Sequence, residues 1–190
     1  KYVFNLGSDN VVPKFTLKHC LDYLKKNNYI GVSTQTFIKN THQSYFSYAM
    51  NLYKKIRFYP GKRAVIGTPH LFLASILKKY KFDNKMTWSD DSDLCLRLAK
   101  QKYTFGVANT YVYEIGKSDI KSILDRWKHY GLSDYEYYSK YHKGWKIKRK
   151  ILSALHPLFC ELIKPLTSNR LKIINKIYMT PFLIVIIIIR

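Results

Sequence analysis

Acidic residues are scarce in this chain: 12 Asp and Glu stand against 33 Lys and Arg, a formal net charge of +21. A field of that sign attracts polyanions, so nucleic acid, an anionic membrane surface and a phosphate-bearing substrate all fit, beside a plain Lys/Ile/Asn/Tyr-rich compositional bias. Cysteine is also scarce. Cys20, Cys95 and Cys160 are odd in number, far apart and form no CxxC or zinc spacing, which suits reduced, mostly buried thiols facing a cytoplasm. Long apolar runs are missing but for one. Ile177 to Ile189 carries no charge, yet it falls short of the roughly 20 residues that a full membrane span needs. It reads as a core strand, an interfacial segment or a span cut short. No internal repeat or low-complexity linker interrupts the chain. No RRM, KH or zinc signature supports nucleic-acid binding.

What is present is globular: 47% hydrophobic, 24% charged and 16% aromatic residues. Strands and helices alternate through the first part. Tyr2 to Leu6 and Ile30 to Ile38 read as strands. Leu17, Cys20, Leu21 and Leu24, then Tyr45, Tyr48, Ala49, Leu52, Tyr53 and Ile56, recur at helical spacing. A short strand is expected around Val65, another at Leu71 to Leu73, and a short helix near Ile76. Ser89 or Asp90 would cap a helix carrying Leu94 and Leu98. Tyr103 to Ala108 and Tyr111 to Tyr113 read as separate strands. Ser118 would cap a helix with Ile120, Ile123, Leu124 and Trp127 on one face. Past Gly131 the character changes. Trp145 opens a basic run, Lys146 to Lys150, and Ile147, Ile151, Leu155, Leu158, Phe159 and Leu162 make an apolar stripe among lysines, the pattern of a helix lying in a membrane interface or of a surface helix packed on the domain.

Three acidic clusters can carry chemistry. Asp9 and Asn10 follow a strand, where open α/β sheets bind ligands. A carboxylate there suits a divalent cation bridging phosphates, or simply a turn before Pro13. Asp90, Asp91 and Asp93 crowd one helix start, whose dipole offsets part of their repulsion. They read either as an over-capped helix or as a general base. Arg126 beside Trp127 can hold a phosphate and a flat ring, or be a solvated Arg next to a core Trp.

The order of these pieces is more telling than any one of them. "NLGSDNVVP" (Asn5 to Pro13), "GTPHLF" (Gly67 to Phe72), "SDDSDLCLRL" (Ser89 to Leu98) and "RWKHYG" (Arg126 to Gly131) together resemble the family-2 glycosyltransferases, inverting enzymes of GT-A fold. The resemblance runs from about Tyr2 to Gly131. It implies an α/β, Rossmann-like mixed sheet forming a partial GT-A domain over 1–131, basic amphipathic membrane-proximal helices over 132–176 and an apolar segment over 177–190, a possible start of a transmembrane helix. It implies that Asp9 is the last Asp of the family's DxD motif, binding Mg²⁺ or Mn²⁺ and the donor diphosphate with Asn10. Asp91 would be the catalytic base, with Asp90 in place of the family's Glu. Gly67 and Thr68 would line the acceptor or sugar pocket together with Asp90 and Trp127. Lys81-Phe82-Asp83 matches the end of the family's "GGFD". Arg126 and Trp127 would bind the donor diphosphate. Gly7 stands where the first Asp of DxD belongs. Ile123 replaces the Gln before Arg-Trp, which argues against a processive polymer synthase. Glu114 takes the place of a histidine ligand and can bind the cation through oxygen. The family's nucleoside-binding first half has no counterpart ahead of Tyr2, so the chain is expected to begin inside a nucleotide-sugar domain.

The function so implied is transfer of a sugar from a nucleoside-diphosphate sugar to a hydroxyl of a saccharide, lipid-linked or protein-linked acceptor, with inversion, in cell-surface polysaccharide or glycoconjugate synthesis. The location would be the cytoplasmic face of a membrane, with an anionic surface as a partner and no nucleic acid. A catalytically degenerate relative and a basic nucleic-acid-binding protein are the alternatives.

Overall fold

A computed structural model of the chain describes residues 1–115 and 119–190. The expected cap at Ser118 lies outside the described residues. The chain divides into two compact units, Lys1–Lys39 with Phe58–Gly116, and Asn40–Arg57 with Lys117–Arg190.

The first unit is built on a six-stranded mixed sheet of β1 (Tyr2–Asn5), β2 (Asn10–Val11), β3 (Gly31–Ile38), β4 (Gly61–Arg63), β5 (His70–Leu73) and β6 (Phe105–Glu114). The order is β1-β5-β3-β6-β2, with β4 also paired to β6. Among the described strands β3 and β6 alone pair in parallel; β5 runs antiparallel to both neighbours. The carboxyl ends of β1, β3 and β6 therefore meet the amino end of β5 along one edge of the sheet. Because β1 and β2 lie at opposite ends of the order, the segment between Asn5 and Asn10 traverses that edge. Three of the pieces singled out in the sequence are attached there: Asp9 after β1, Glu114 at the end of β6, and Gly67–Pro69 leading into β5.

Helices α1 (Thr16–Lys26), α3 (Ala74–Tyr80) and α4 (Asp90–Lys100) belong to this unit. Helix α1 buries Cys20 and Leu24 against Val32, Leu71 and Ala108. The Leu94–Leu98 face of α4 packs with Phe72, Phe105 and Ile66 in a second cluster. Both faces follow the helical spacing of their apolar residues.

Two strand expectations need correction. The strand expected around Val65 ends earlier, at Arg63; Val65 is exposed and only its neighbour Ile66 is buried. The strands expected at 103–108 and 111–113 are one strand, β6. The polar pair Asn109-Thr110 breaks the apolar alternation, but the ladder absorbs it as a bulge: Ser33 faces Val107, yet Gln35 faces Tyr111.

The second unit is helical: α2 (Tyr45–Arg57), α5 (Ile120–Tyr141), α6 (Ile147–Ala154), a π-helical turn at Leu158–Ile163, α7 (Lys164–Thr167) and α8 (Ile173–Ile189). Asp119 caps α5, accepting from the Ser122 N–H at 2.9 Å. The expected change of character at Gly131 falls inside α5. A Cβ at that position would lie 2.6 Å from the Arg190 carbonyl oxygen, so the glycine marks a close backbone approach. The apolar segment from Ile177 is helical and forms most of α8. Met179, Phe182, Leu183 and Ile186 are buried, while Ile177, Ile184 and Ile188 are exposed. Pro181 sits inside α8, where it removes a ladder donor. The Tyr45 hydroxyl bridges this point, donating to the Tyr178 carbonyl at 2.9 Å and accepting from the Phe182 N–H at 3.2 Å. Among the described residues no helix is long and apolar enough to cross a membrane.

Candidate active site

The three carboxylates at the start of α4 have separate surroundings. Asp93 is fully buried and pairs with Arg97 Nε at 2.8 Å, one turn on. The other guanidinium nitrogens of Arg97 donate to the carbonyls of Tyr80 and Lys81 at 2.5 and 2.7 Å, closing the end of α3. Asp93 is thus a structural anchor. Ser89 holds the cap position, as expected, but its side chain makes no capping hydrogen bond.

Asp91 lies two residues earlier, against the segment that opens β5. A Cβ at residue 67 would stand 3.1 Å from Asp91 Oδ2, so Gly67 leaves room for the carboxylate. The Thr68 backbone N–H donates to it. A cis peptide joins Thr68 to Pro69. Next comes His70, with Nδ1 at 3.7 Å from Asp91 Oδ1, beyond hydrogen-bond range. Burial, then the neighbouring charge of Asp90, pushes the Asp91 carboxyl from 3.8 up to about 7, against a smaller pull from the Thr68 N–H. Burial pushes His70 down to about 4, so it stays neutral near pH 7. A half-exposed carboxyl poised near neutrality, with its N–H donor in place, can take a proton from a hydroxyl. "GTPH" and "DD" are thereby brought together, as the sequence order suggests. Phe82 of the Lys81-Phe82-Asp83 stretch joins them, its ring nearly parallel to that of His70 at 6.3 Å. His70 itself went unread as a site residue. A single histidine after proline has no spacing to distinguish it.

The turn after β1 closes on itself. Asn10 Oδ1 accepts from the Gly7 N–H at 3.1 Å, Asn10 N–H donates to the Gly7 carbonyl at 3.1 Å, and Asn10 Nδ2 donates to Asp9 Oδ1 at 3.3 Å. A Cβ on residue 7 would sit 2.8 Å from that same Asp9 oxygen, so the carboxylate folds over the glycine that replaces the first Asp. Asp9 and Glu114 come together along the backbone: Asn10 pairs with Glu114, and the Ile115 N–H donates to the Asp9 carbonyl at 2.9 Å. Glu114 is buried, however, at 5% exposure. Among the described residues no group of three or more His, Cys, Asp and Glu side chains could hold a metal. The donor set fits a cation of the Mg²⁺ type shared with substrate phosphates, which needs only one or two carboxylates, and does not fit a protein-only cage.

Arg126 and Trp127 belong to the second unit. The expectation that Trp127 offers a flat face to a sugar meets a different placement. Its ring is 1% exposed, enclosed by Tyr53, Tyr130 and Phe182 at 5.8, 5.5 and 5.6 Å. The apolar stripe of α5 carries it into the core, as helical periodicity dictates, while Arg126 stays half-buried beside it.

The second unit also holds a buried ionic cluster that no motif announced. Glu161, on the π-helical turn, accepts from the Tyr53 hydroxyl and pairs with Arg190. Arg190 in turn grips Asp134 with Nε at 2.7 Å and a second nitrogen at 3.1 Å. Arg57 interacts with both Glu161 and Cys160. These residues are scattered in sequence, and only the packing of helices assembles them.

No curated protein matches the chain. Residues 2–189 match the model of glycosyl transferase family group 2. With a half-buried carboxyl poised near neutrality beside a glycine-opened strand at the carboxyl edge of a mixed sheet, the chain belongs to the family-2 glycosyltransferases, enzymes that move a sugar from a nucleotide-sugar donor to an acceptor.

Proposed function

We propose that this glycosyltransferase carries out a single inverting displacement with Asp91 as general base. An acceptor hydroxyl oxygen bonds to the anomeric carbon of the donor sugar, and the bond to the diphosphate breaks, its electron pair leaving with the phosphate. The hydroxyl proton passes to the Asp91 carboxylate. The observation that carries this reading is Asp91 itself: a carboxyl raised to about 7, with the Thr68 N–H as donor and Gly67 making room. General bases work best when their pKa lies near the operating pH. Gly67, Thr68 and Asp90 line the space beside it, and Asn10, next to Asp9, is the group of this unit for the diphosphate. Asp9 would hold Mg²⁺ or Mn²⁺ jointly with substrate phosphates, with Glu114 adjacent; such a cation, when bound, stabilises charge on a departing diphosphate.

The acceptor is a saccharide or a lipid-linked or protein-linked glycan of the cell surface, handled at the cytoplasmic face of a membrane. Support for the location comes from the second unit. Ile147, Ile151, Leu155 and Phe159 are exposed among Lys146, Lys148, Arg149 and Lys150, which suits an anionic interface.

The test of the chemistry is Asp91→Asn against a set of UDP-, GDP- and dTDP-sugars with neutral oligosaccharide acceptors. Loss of about 10²–10⁴-fold in transfer is expected; full activity in the variant would remove the assignment. Sedimentation with phosphatidylserine-containing vesicles tests the location. Ile147→Asp with Ile151→Asp should abolish co-sedimentation, and unchanged binding would sink the membrane reading. Gly7 in place of the family's first Asp favours a second reading, a non-catalytic relative. Calorimetry showing no cation-dependent binding of any nucleotide-sugar would support that reading over the first.

A further inference from the structure

His70 poses an unsolved accounting problem. It is 1% exposed, and neither Nδ1 nor Nε2 makes a well-aligned hydrogen bond, although the Gly67 carbonyl is close enough to favour the protonated ring. A neutral imidazole carries one donor and one acceptor, and native interiors seldom leave both unmet without a reason. The side chain has little freedom to escape. Its backbone is fixed in the sheet between Asn5 of β1 and Ser33 of β3. Its ring is held edge-on by Phe72 at 5.0 Å and face-on by Phe82 at 6.3 Å. The nearest ionisable partner is the one that the reaction needs: Asp91 Oδ1, 3.7 Å from Nδ1. A shift of well under 1 Å in the half-exposed Asp91 side chain would bring the pair within hydrogen-bond range.

We propose that His70 is the positioning residue of Asp91: its neutral ring carries the proton on Nδ1 and donates it to Asp91 Oδ1 as the carboxylate ionises. One carboxylate oxygen is thereby fixed by His70, and the other is left to take the acceptor's proton. The immobile ring between two phenylalanines supplies direction, and the sheet supplies the fixed origin. His70 does not touch substrate and does not itself exchange a proton with it. The role rests on Asp91 being the general base. The other groups around that carboxyl are Asp90 and Cys95 on its own helix and the Thr68 N–H. None is a cation, so His70 is the only side chain among them that can favour the ionised form.

The experiment uses the full chain labelled with ¹³C and ¹⁵N. Nitrogen shifts report the His70 tautomer, and the Asp91 carboxyl carbon reports its titration. The expected results are an Nδ1–H tautomer and an Asp91 midpoint that rises by about one unit, a tenfold change in ionisation, in His70→Phe. His70→Asn, whose amide nitrogen replaces Nδ1, should restore the midpoint. The acid limb of kcat should move with it while the donor KM stays put. An Nε2–H tautomer, or an Asp91 midpoint that ignores both variants, would overturn the proposal. If His70→Phe does not fold, the wild-type tautomer still decides. Failure here is distinct from failure of the base assignment: an inactive Asp91→Asn with an unmoved midpoint discards only His70's role, while an active Asp91→Asn discards the base whatever the midpoint does.

Discussion

Glu161 and Asp91 are carboxylates sheltered in different units, and their surroundings are opposite. Glu161 is 1% exposed and meets a tyrosine hydroxyl, the Arg190 guanidinium and, nearby, Arg57. Asp91 is 28% exposed on its side chain, with a neutral histidine at 3.7 Å and a like charge, Asp90, as neighbour. A compensated carboxylate fixes helices; an under-compensated one holds its proton more tightly than a free carboxyl, up to near-neutral pH, and can exchange it there. Removing each should therefore change stability in opposite directions.

The larger effect belongs to Glu161. Glu161→Ala leaves the Tyr53 hydroxyl without its acceptor and Arg190 with Asp134 alone, and breaking a buried pair in this way costs about 3–5 kcal/mol in comparable cases. Urea unfolding would measure it, and a loss below about 1 kcal/mol would show that the cluster is held by its helices rather than holding them. Asp91→Asn should do the reverse, and only in one pH range. Asp91 has a folded-state pKa of about 7 against 3.8 ordinarily. Below pH 3.8 the carboxyl is neutral in both states and costs nothing. As pH rises from there to about 7, the unfolded chain ionises first and the folded protein loses stability. The amide avoids this penalty, so its advantage should be absent at pH 3.5, grow through the window and level off above pH 7. The full shift corresponds to about 4 kcal/mol; partial exposure reduces that to on the order of 2 kcal/mol. A flat difference between wild type and variant across pH would show that Asp91 is not under-compensated.

How much of this contrast was readable in advance depends on distance along the chain. Helices α1, α2 and α4 and strand β3 were legible because each carries its own periodicity. The two-residue β2 is too short to have one. Asn109-Thr110 looked like a strand break because a sequence cannot show the bulge that absorbs it. Gly131 looked like a boundary because glycine weakens helices; its reason is the backbone of Arg190, 59 residues later in the numbering. The same holds for the sites. Asp91 could be named because a motif spans it locally. Its raised pKa, the facing His70 and the whole Glu161 cluster depend on contacts between distant segments. Trp127 was open to either reading, and burial of the α5 stripe decided it.

The thiols extend the comparison. Burial pushes Cys20 and Cys95 in the first unit up to about 12. Cys160, in the second, is lowered, first by His156 Nε2 at 3.2 Å and then by the Arg57 charge. Only thiolates alkylate. Brief iodoacetamide treatment at pH 7 should label Cys160 ahead of the other two by peptide mass spectrometry, and His156→Ala should slow that labelling. Equal labelling of all three would break the contrast.

The smallest effects come from hydroxyls that differ in the same way. The Tyr45 hydroxyl is fully used, joining the Tyr178 carbonyl to the Phe182 N–H across Pro181. Thr34 Oγ1, in the first unit, is buried with no partner among the described residues. Tyr45→Phe removes a made hydrogen bond at a half-buried site, and about 1 kcal/mol should be lost. Thr34→Val keeps the shape and deletes an unmet polar group, so stability should hold or rise by a few tenths of a kcal/mol. If Thr34→Val instead costs as much as Tyr45→Phe, its hydroxyl is satisfied by buried water. The first unit would then be no less complete in its hydrogen bonding than the second, whose Trp127 Nε1 is likewise buried with no partner among the described residues, and His70, facing Asp91, would be left as the first unit's unmet polar side chain among those residues.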